Sequence, residues 1–447
     1  MKNNGSIEFE TIKSHKNRLY SLCGFVCVVV LLVIFVVTRS HAKYRVTQSI
    51  PLVNGTINYT LPDLNIIAIT VDGESTDTLP DGNYELLDSS YCTYKDGSTI
   101  DNLTLNYNST TKAFSITPYT TKGTKCYLDF VTATTKEVDT VLGTITVNLN
   151  TPDFSKTAQA SCSDTSTCEE TNGIYEGEDD DGTTYYFRGS VDNNWVRWAG
   201  FYWRIIRING DGSIRMIYQG TSITTTGEET QISNTKFNSS YNNNAYVGFK
   251  YTTNSVHGTG TNSTILGVLN TWYQNNLASY ADDLDGNAGF CNDRQPSTSS
   301  SSSNGSGGTG TTTTYYAAYI RLYTNKTPTF ECENSSDLFT VSSSNKGNKS
   351  LTYPIGLITA DEVSYAGGVY ETSNSSYYLY TNQNYWTMSP NRLTSSGNAN
   401  VFVVYSNGQL DSSYVGSTRG VRPAINLRAD VTISSGDGTS SNPYVVE

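Results

Sequence analysis

The chain has 447 residues, which at about 100 to 200 residues per domain leaves room for two or three folded units with real cores. Only 16% of them are charged, while 33 Tyr and 37 Gly accompany abundant Ser, Thr and Asn, the strand and turn formers of an exported β-protein. A formal charge of −12 and a pI near 4.8, with no basic stripe after the first 45 residues, exclude a nucleic-acid partner, because phosphate binding needs clustered Lys and Arg.

In chain order, residues 1–18 read as a cytoplasmic tail. Leu19 to Thr38, LYSLCGFVCVVVLLVIFVVT, carries no charge, and at about 1.5 Å per residue it spans a hydrocarbon core of about 30 Å. It is predicted to be a single transmembrane helix acting as an uncleaved signal anchor. The rival is a cleaved signal peptide ending near Ser40-His41-Ala42, although such a peptide has a shorter apolar core. Lys2, Lys13, Lys16 and Arg18 before the segment are nearly matched by Arg39, Lys43 and Arg45 after it, so charge does not orient it. Cysteines do. Beyond Cys23 and Cys27, six remain: Cys92, Cys126, Cys162, Cys168, Cys291 and Cys332. An even set in an exported chain reads as a disulfide framework, with bonds expected between neighbours in order. Zinc is the alternative for such cysteines, but there is no Cys-x-x-Cys and His257 is the only histidine beyond His41 and His15. The C-terminal part is therefore expected outside the cell membrane.

Residues 46–150 show short alternating runs, IIAITV (66–71), LTLNY (103–107), AFSIT (113–117) and GTITVNL (143–149), separated by Asp72-Gly73, Asp81-Gly82 and Asp96-Gly97. They predict an all-β, sandwich-like spacer domain stapled by Cys92 and Cys126. Residues 151–173 are polar and aperiodic and read as a linker containing the Cys162/Cys168 loop. From 174 to 447 aromatic strands alternate with two helical stretches, 263–284 and 358–367, the second with Thr359 as N-cap and Asp361 and Glu362 in its first turn, so this unit is predicted to be α+β. Hairpins are expected around Asn209-Gly210-Asp211-Gly212 and Asn407-Gly408. Between Cys291 and Cys332 lies the low-complexity loop 297–314, whose composition cannot bury a core.

YYFRG (185–189), WRIIRINGDGSIRMIY (203–218), YPIGLITADEV (353–363), YWTMSP (385–390) and GVRPAINL (420–427), in this order, resemble domains of unknown function in bacterial surface proteins related to the C-type-lectin-like and formylglycine-generating-enzyme folds. The resemblance implies a lectin-like distal domain over residues 174–447. It carries no active site: the enzymatic branch needs paired C-terminal cysteines, and none follows Cys332. Nor does it carry the calcium-dependent lectin triplet, Gln295-Pro296-Ser297 being a coincidence.

No catalytic group, metal ligand or cofactor is read from the sequence. His257, in a Gly/Thr-rich loop, has no nucleophile motif beside it. Glu178-Asp179-Asp180-Asp181-Gly182 and Asp282-Asp283-Leu284-Asp285-Gly286 carry oxygen ligands suited to calcium but lack the closing Glu of a calcium loop, so they read as solvated turns. Trp195, Trp198, Tyr202 and Trp203 are either a core strand or an exposed ligand platform, with the core reading preferred. Arg422 is expected to pair an internal carboxylate. The function expected is that of a membrane-anchored cell-surface binding, adhesion or display protein with a glycan or protein ligand. Its rivals are a carboxylate-dependent glycan-acting enzyme and a structural surface-layer subunit.

Overall fold

The computed structural model describes residues 49–51, 56–58, 65–109, 111–117, 123–297, 313–342 and 346–447. The tail 1–18, the anchor 19–38 and nearly all of the 297–314 loop lie outside the described residues. Among the described residues no helix is long and apolar enough to cross a membrane. Among the described residues the structure is mostly β, 40% strand against 13% helix; both helical stretches expected within 174–447 contain a helix, but a shorter one. Local periodicity overstated the helices. The 263–284 stretch is α-helical only over Thr264–Asn276, where Ser263 caps the first turn, and then tightens into a 3-10 segment, Ala278–Asp283.

The chain divides into two compact units, residues 1–133 and 134–447. In the first, strand Asn65–Val71 runs parallel to Lys125–Thr132 and antiparallel to Glu74–Thr76, while Tyr84–Leu86 and Tyr91–Thr93 pair with Lys125–Thr132. Asp72 and Gly73 turn the first hairpin with φ of 52° and 85°, the double positive φ of a type I′ turn. A separate hairpin, Thr104–Asn108 with Ala113–Thr117, supplies Phe114 to a small core with Ile69, Leu128 and Phe130. Cys92 and Cys126 are directly opposed in register and joined by a disulfide.

Two boundaries differ from the sequence reading. The hairpin Thr135–Thr140 with Gly143–Asn148, expected in the spacer, pairs in parallel with Gly173–Asp179 of the second unit. Residues 151–173 are no linker either: Thr157–Ala158 pairs with Cys168–Glu169, Thr157 and Ala158 are buried, and the Cys162–Cys168 disulfide closes the loop between them. The cause is long-range. Arg188, fully buried, donates to Thr171 Oγ1 at 2.9 Å and to the Ser364 and Tyr365 carbonyls at 3.0 Å each, and pairs with Glu169 at 3.0 Å, so it pins this polar stretch to the body.

The second unit holds two large sheets sharing one core. The ten-stranded sheet runs in the order Thr135–Thr140, Gly143–Asn148, Gly173–Asp179, Gly182–Arg188, Phe201–Ile208, Trp195–Trp198, Tyr444–Val446 and Ile433–Ser435, with Ile214–Gly220 on Phe201–Ile208 and Ala424–Leu427 beyond it. The six-stranded sheet is Ser233–Lys236, Thr418–Val421, Tyr385–Leu393, Ala399–Val404 and Leu410–Tyr414, with Thr314–Tyr315 against Tyr385–Leu393. Trp203 and Trp386, one from each sheet, are 0% exposed in the shared core, and full burial of a large apolar side chain contributes about 1.5–3 kcal/mol. The chain passes from the second sheet into the first at Arg422-Pro423. Pro423 O accepts the Tyr218 N–H at 2.9 Å.

Candidate functional site

The strand run 203–218 places arginines among isoleucines, and two of them, Arg207 and Arg215, point into the interior against one short helix, Ala360–Ala366. That helix begins with a capping box: Thr359 Oγ1 accepts the Glu362 N–H at 3.0 Å and Glu362 Oε2 accepts the Thr359 N–H at 2.9 Å. Glu362 also binds Arg215 Nη2 at 3.2 Å and Arg207 Nε at 3.4 Å, and Arg207 pairs with Asp179. Burial pushes the Glu362 carboxyl up, but Arg215, Arg207 and the Thr359 N–H outweigh it and hold the group below its ordinary value. Next to it, Arg321 is gripped by Asp361 through Nε and Nη2, both at 3.0 Å, and by Asp293 at 2.7 Å.

These residues wall a cavity of about 60 Å³ whose mouth carries Asp180, Asp181, Asp211 and Lys346. That space has room for a few waters and is well below the about 300 to 1,000 Å³ of drug-sized ligand pockets. Two of its carboxyls are held above the ordinary range. For Asp180 the cause is burial, reinforced by Asp179, Glu331 and Asp181 against the Cys332 N–H it accepts. For Asp293 it is burial again, with Asp361 and Asp337 adding to it and Arg321 opposing it. A carboxyl raised on folding contributes stability that is present below its unfolded value and lost as pH rises through the folded one. Asp293→Asn is therefore expected to remove a stability loss on going from pH 4 to pH 8; a thermal melt series in which the variant keeps the wild-type slope would contradict this.

A second concavity, open and about 530 Å³, lies at the turns of the six-stranded sheet. Gln159, Ser373, Asn374, Ser375, Ser376, Tyr380, Asn382, Ser406 and Asn407 line it, and none is charged. Its walls are fixed from behind. Asn374, 2% exposed, donates from Nδ2 to the Ala158 and Gly367 carbonyls at 2.9 Å each and accepts the Ser376 N–H at 3.0 Å. Gly408, with φ of 80°, sits so close to the Asn374 carbonyl oxygen that any Cβ would collide with it, and Tyr377 Oη donates to Gly408 O at 2.9 Å. Asn407 Nδ2 bonds Ser373 Oγ and Gln409 Oε1, both at 2.8 Å.

Almost all of this groove falls inside a stretch of the chain that a family model matches. Residues 304–429 match the family model of a domain of unknown function, DUF6273. The match covers less than half of the chain and includes YPIGLITADEV, YWTMSP and GVRPAINL, but not YYFRG or WRIIRINGDGSIRMIY. No curated protein and no solved structure matches the chain.

The candidate site residues weighed in the sequence fall outside the groove. The structure joins the six cysteines as Cys92–Cys126, Cys162–Cys168 and Cys291–Cys332. Trp195, Trp198 and Trp203 are core, at 7%, 2% and 0% exposure, and Trp198 Nε1 donates to Asp283 at 2.9 Å. Arg422, at the end of the DUF6273 segment, pairs no carboxylate among the described residues: it is fully buried, donates to the Tyr218 and Leu379 carbonyls and to Gln219 Oε1, and lies 4.8 Å from the Tyr385 ring centroid. The expected internal ion pair is replaced by carbonyls at the crossover between the sheets. His257 Nδ1 lies 2.9 Å from Asp337, which also holds Arg294, and its Nε2 faces Asn334 rather than a nucleophile. The acidic runs are engaged as well: Asp179 holds Arg207 and the Gly210 N–H, Asp181 holds Lys346, and Asp285 closes its own turn on Asn287. Among the described residues no group of three or more His, Cys, Asp or Glu is arranged to hold a metal ion.

The groove was missed because Ser373–Ser376 and Asn382 look like solvated turn residues in the sequence. Asn407-Gly408 was the one available signal, and it marks a hairpin rather than a site.

Proposed function

We propose that the protein is a membrane-anchored cell-surface binding or adhesion protein. It is held by residues 19–38 with its C-terminal part outside the cell, and residues 174–447 form the lectin-like, ligand-bearing part. The observation that carries this reading is the contrast between the two concavities. The carboxylate-rich one is small and cross-paired by arginines, whereas the open one is a neutral groove on a braced frame, the kind of surface that binds without turnover. Three disulfides, suited to an oxidising exterior, support the location.

The raised carboxyls of Asp180 and Asp293 favour a second reading, a carboxylate-dependent glycan-acting enzyme. One preparation separates the two. Full-length protein in lipid nanodiscs is expected to bind intact cells or purified envelope saturably and to release no soluble sugar from them. Release of reducing ends that is lost in Asp293→Asn would favour the enzyme, and absence of both binding and release would reject both readings.

A further inference from the structure

The chemistry of the groove restricts what it takes. A charged ligand finds no counter-ion in the lining, and an apolar side chain finds no aliphatic wall; every lining side chain ends in a hydroxyl or a carboxamide. Such groups both donate and accept, which matches vicinal hydroxyls. A peptide segment would need an open strand edge or pockets for its apolar residues, and the lining has neither.

The groups divide into two sets. Asn374 and Asn407 are spent on the frame. The hydroxyls of Ser375, Ser376, Ser406 and Tyr380 and the carboxamide of Asn382 make no hydrogen bond among the described residues, and Ser375, Asn382 and Ser406 are exposed. Tyr380, partly buried, presents a phenol at the groove, an aromatic body with a polar tip. Asn382 is held at φ of 58°, so its side chain is displayed from a fixed, left-handed backbone position. Free donors and acceptors on an ordered frame bind at a small entropic penalty. A volume of about 530 Å³ admits more than one sugar ring.

We propose that this groove binds a neutral oligosaccharide, with Ser375, Ser406, Tyr380 and Asn382 as its hydrogen-bonding contacts. This rests on the binding-protein reading above and names its site and ligand class. The test uses full-length protein in nanodiscs on a glycan array holding neutral, sialylated and sulfated glycans, followed by titration of the best neutral tetrasaccharide into wild type, Ser406→Arg, Tyr380→Phe and Asn382→Gly. Asn382→Gly keeps the positive φ.

The expected result is selection of neutral glycans, a Kd unchanged between 50 and 500 mM NaCl because no charge is screened, and a loss of about tenfold or more in Ser406→Arg at unchanged Tm, with smaller losses in the other two. Neutral-glycan binding that survives Ser406→Arg would overturn the site. Preference for sialylated or sulfated glycans, or for peptides, would overturn the ligand class. No glycan binding by protein that still binds cells would overturn this inference alone, and loss of cell binding as well would take the functional reading with it.

Discussion

Replacing Glu362 by Ala is expected to destabilise the second unit by about 3–5 kcal/mol at neutral pH, the range for breaking a buried ion pair, with a fall in Tm on the order of 10 °C. Glu362 is 3% exposed and meets two guanidiniums, and Arg215 is 1% exposed. Removing the carboxylate leaves Arg215 in the core without a counter-ion among the described residues, against the Gly289 and Leu357 carbonyls at 3.3 and 3.2 Å and the Phe290 ring, and takes away half of the capping box at Thr359. Glu362→Gln separates the parts, since it retains an oxygen for the Thr359 N–H while losing the charge. It should fall between wild type and Glu362→Ala. The pH dependence has the opposite sign to that of Asp293. Because the Glu362 carboxyl is held below its ordinary 4.5, its contribution is complete above that value and is lost as pH falls through the folded one. Melts of wild type between pH 7 and pH 3 should show this loss, and Glu362→Gln should show less of it. Equal acid slopes in the two proteins would show that Glu362 is not a source of the acid sensitivity.

Mutation of both Cys92 and Cys126 to Ala is expected to unfold the first unit while leaving the second intact. The bond spans 34 residues, and a loop of that size is worth about 3–4 kcal/mol in the chain-entropy model. That is a large share of what a small core built around Ile69, Leu79, Phe114, Leu128 and Phe130 supplies. Hydrogen exchange read by mass spectrometry on the full chain is the direct measure: peptides within 65–133 should lose protection and peptides within 134–447 should keep it. Retained protection in both would mean that the sheet around Lys125–Thr132 holds without the bond.

Legibility followed the range of the interactions. Turns set by one or two residues were readable, as at Asp72-Gly73, Asn209–Gly212 and Asn407-Gly408, because positive φ is a local demand. The helix after Thr359 was readable for the same reason: its cap and its Gly367 stop, at φ of 117°, are both local. Strand membership was not. The hairpin Thr135–Asn148 alternates as the earlier strands do, and nothing within it indicates that its partner is Gly173–Asp179. Residues 151–173 looked unstructured because their order comes from Arg188 and the Ser364 and Tyr365 carbonyls, far along the chain. The arginines of 203–218 stood among isoleucines in plain view, but their role depended on Glu362 and Asp179. The groove draws on positions 159, 373–382 and 406–407, a set with no sequence spacing to detect.

The way the ten-stranded sheet is closed constrains how the protein is made. Trp195–Trp198 sits between Phe201–Ile208 and the far C-terminal strand Tyr444–Val446, and Ile214–Gly220 is completed by Ala424–Leu427. On the ribosome these early strands therefore wait for residues 424–446 with apolar edges unpaired, at elongation rates of about 5–20 residues per second. The first unit has no such delay, since its last strand ends at Thr132. The pairing therefore sets an order: the N-terminal unit can close on its own residues, whereas the ten-stranded sheet cannot be completed until residues 424–446 have been made.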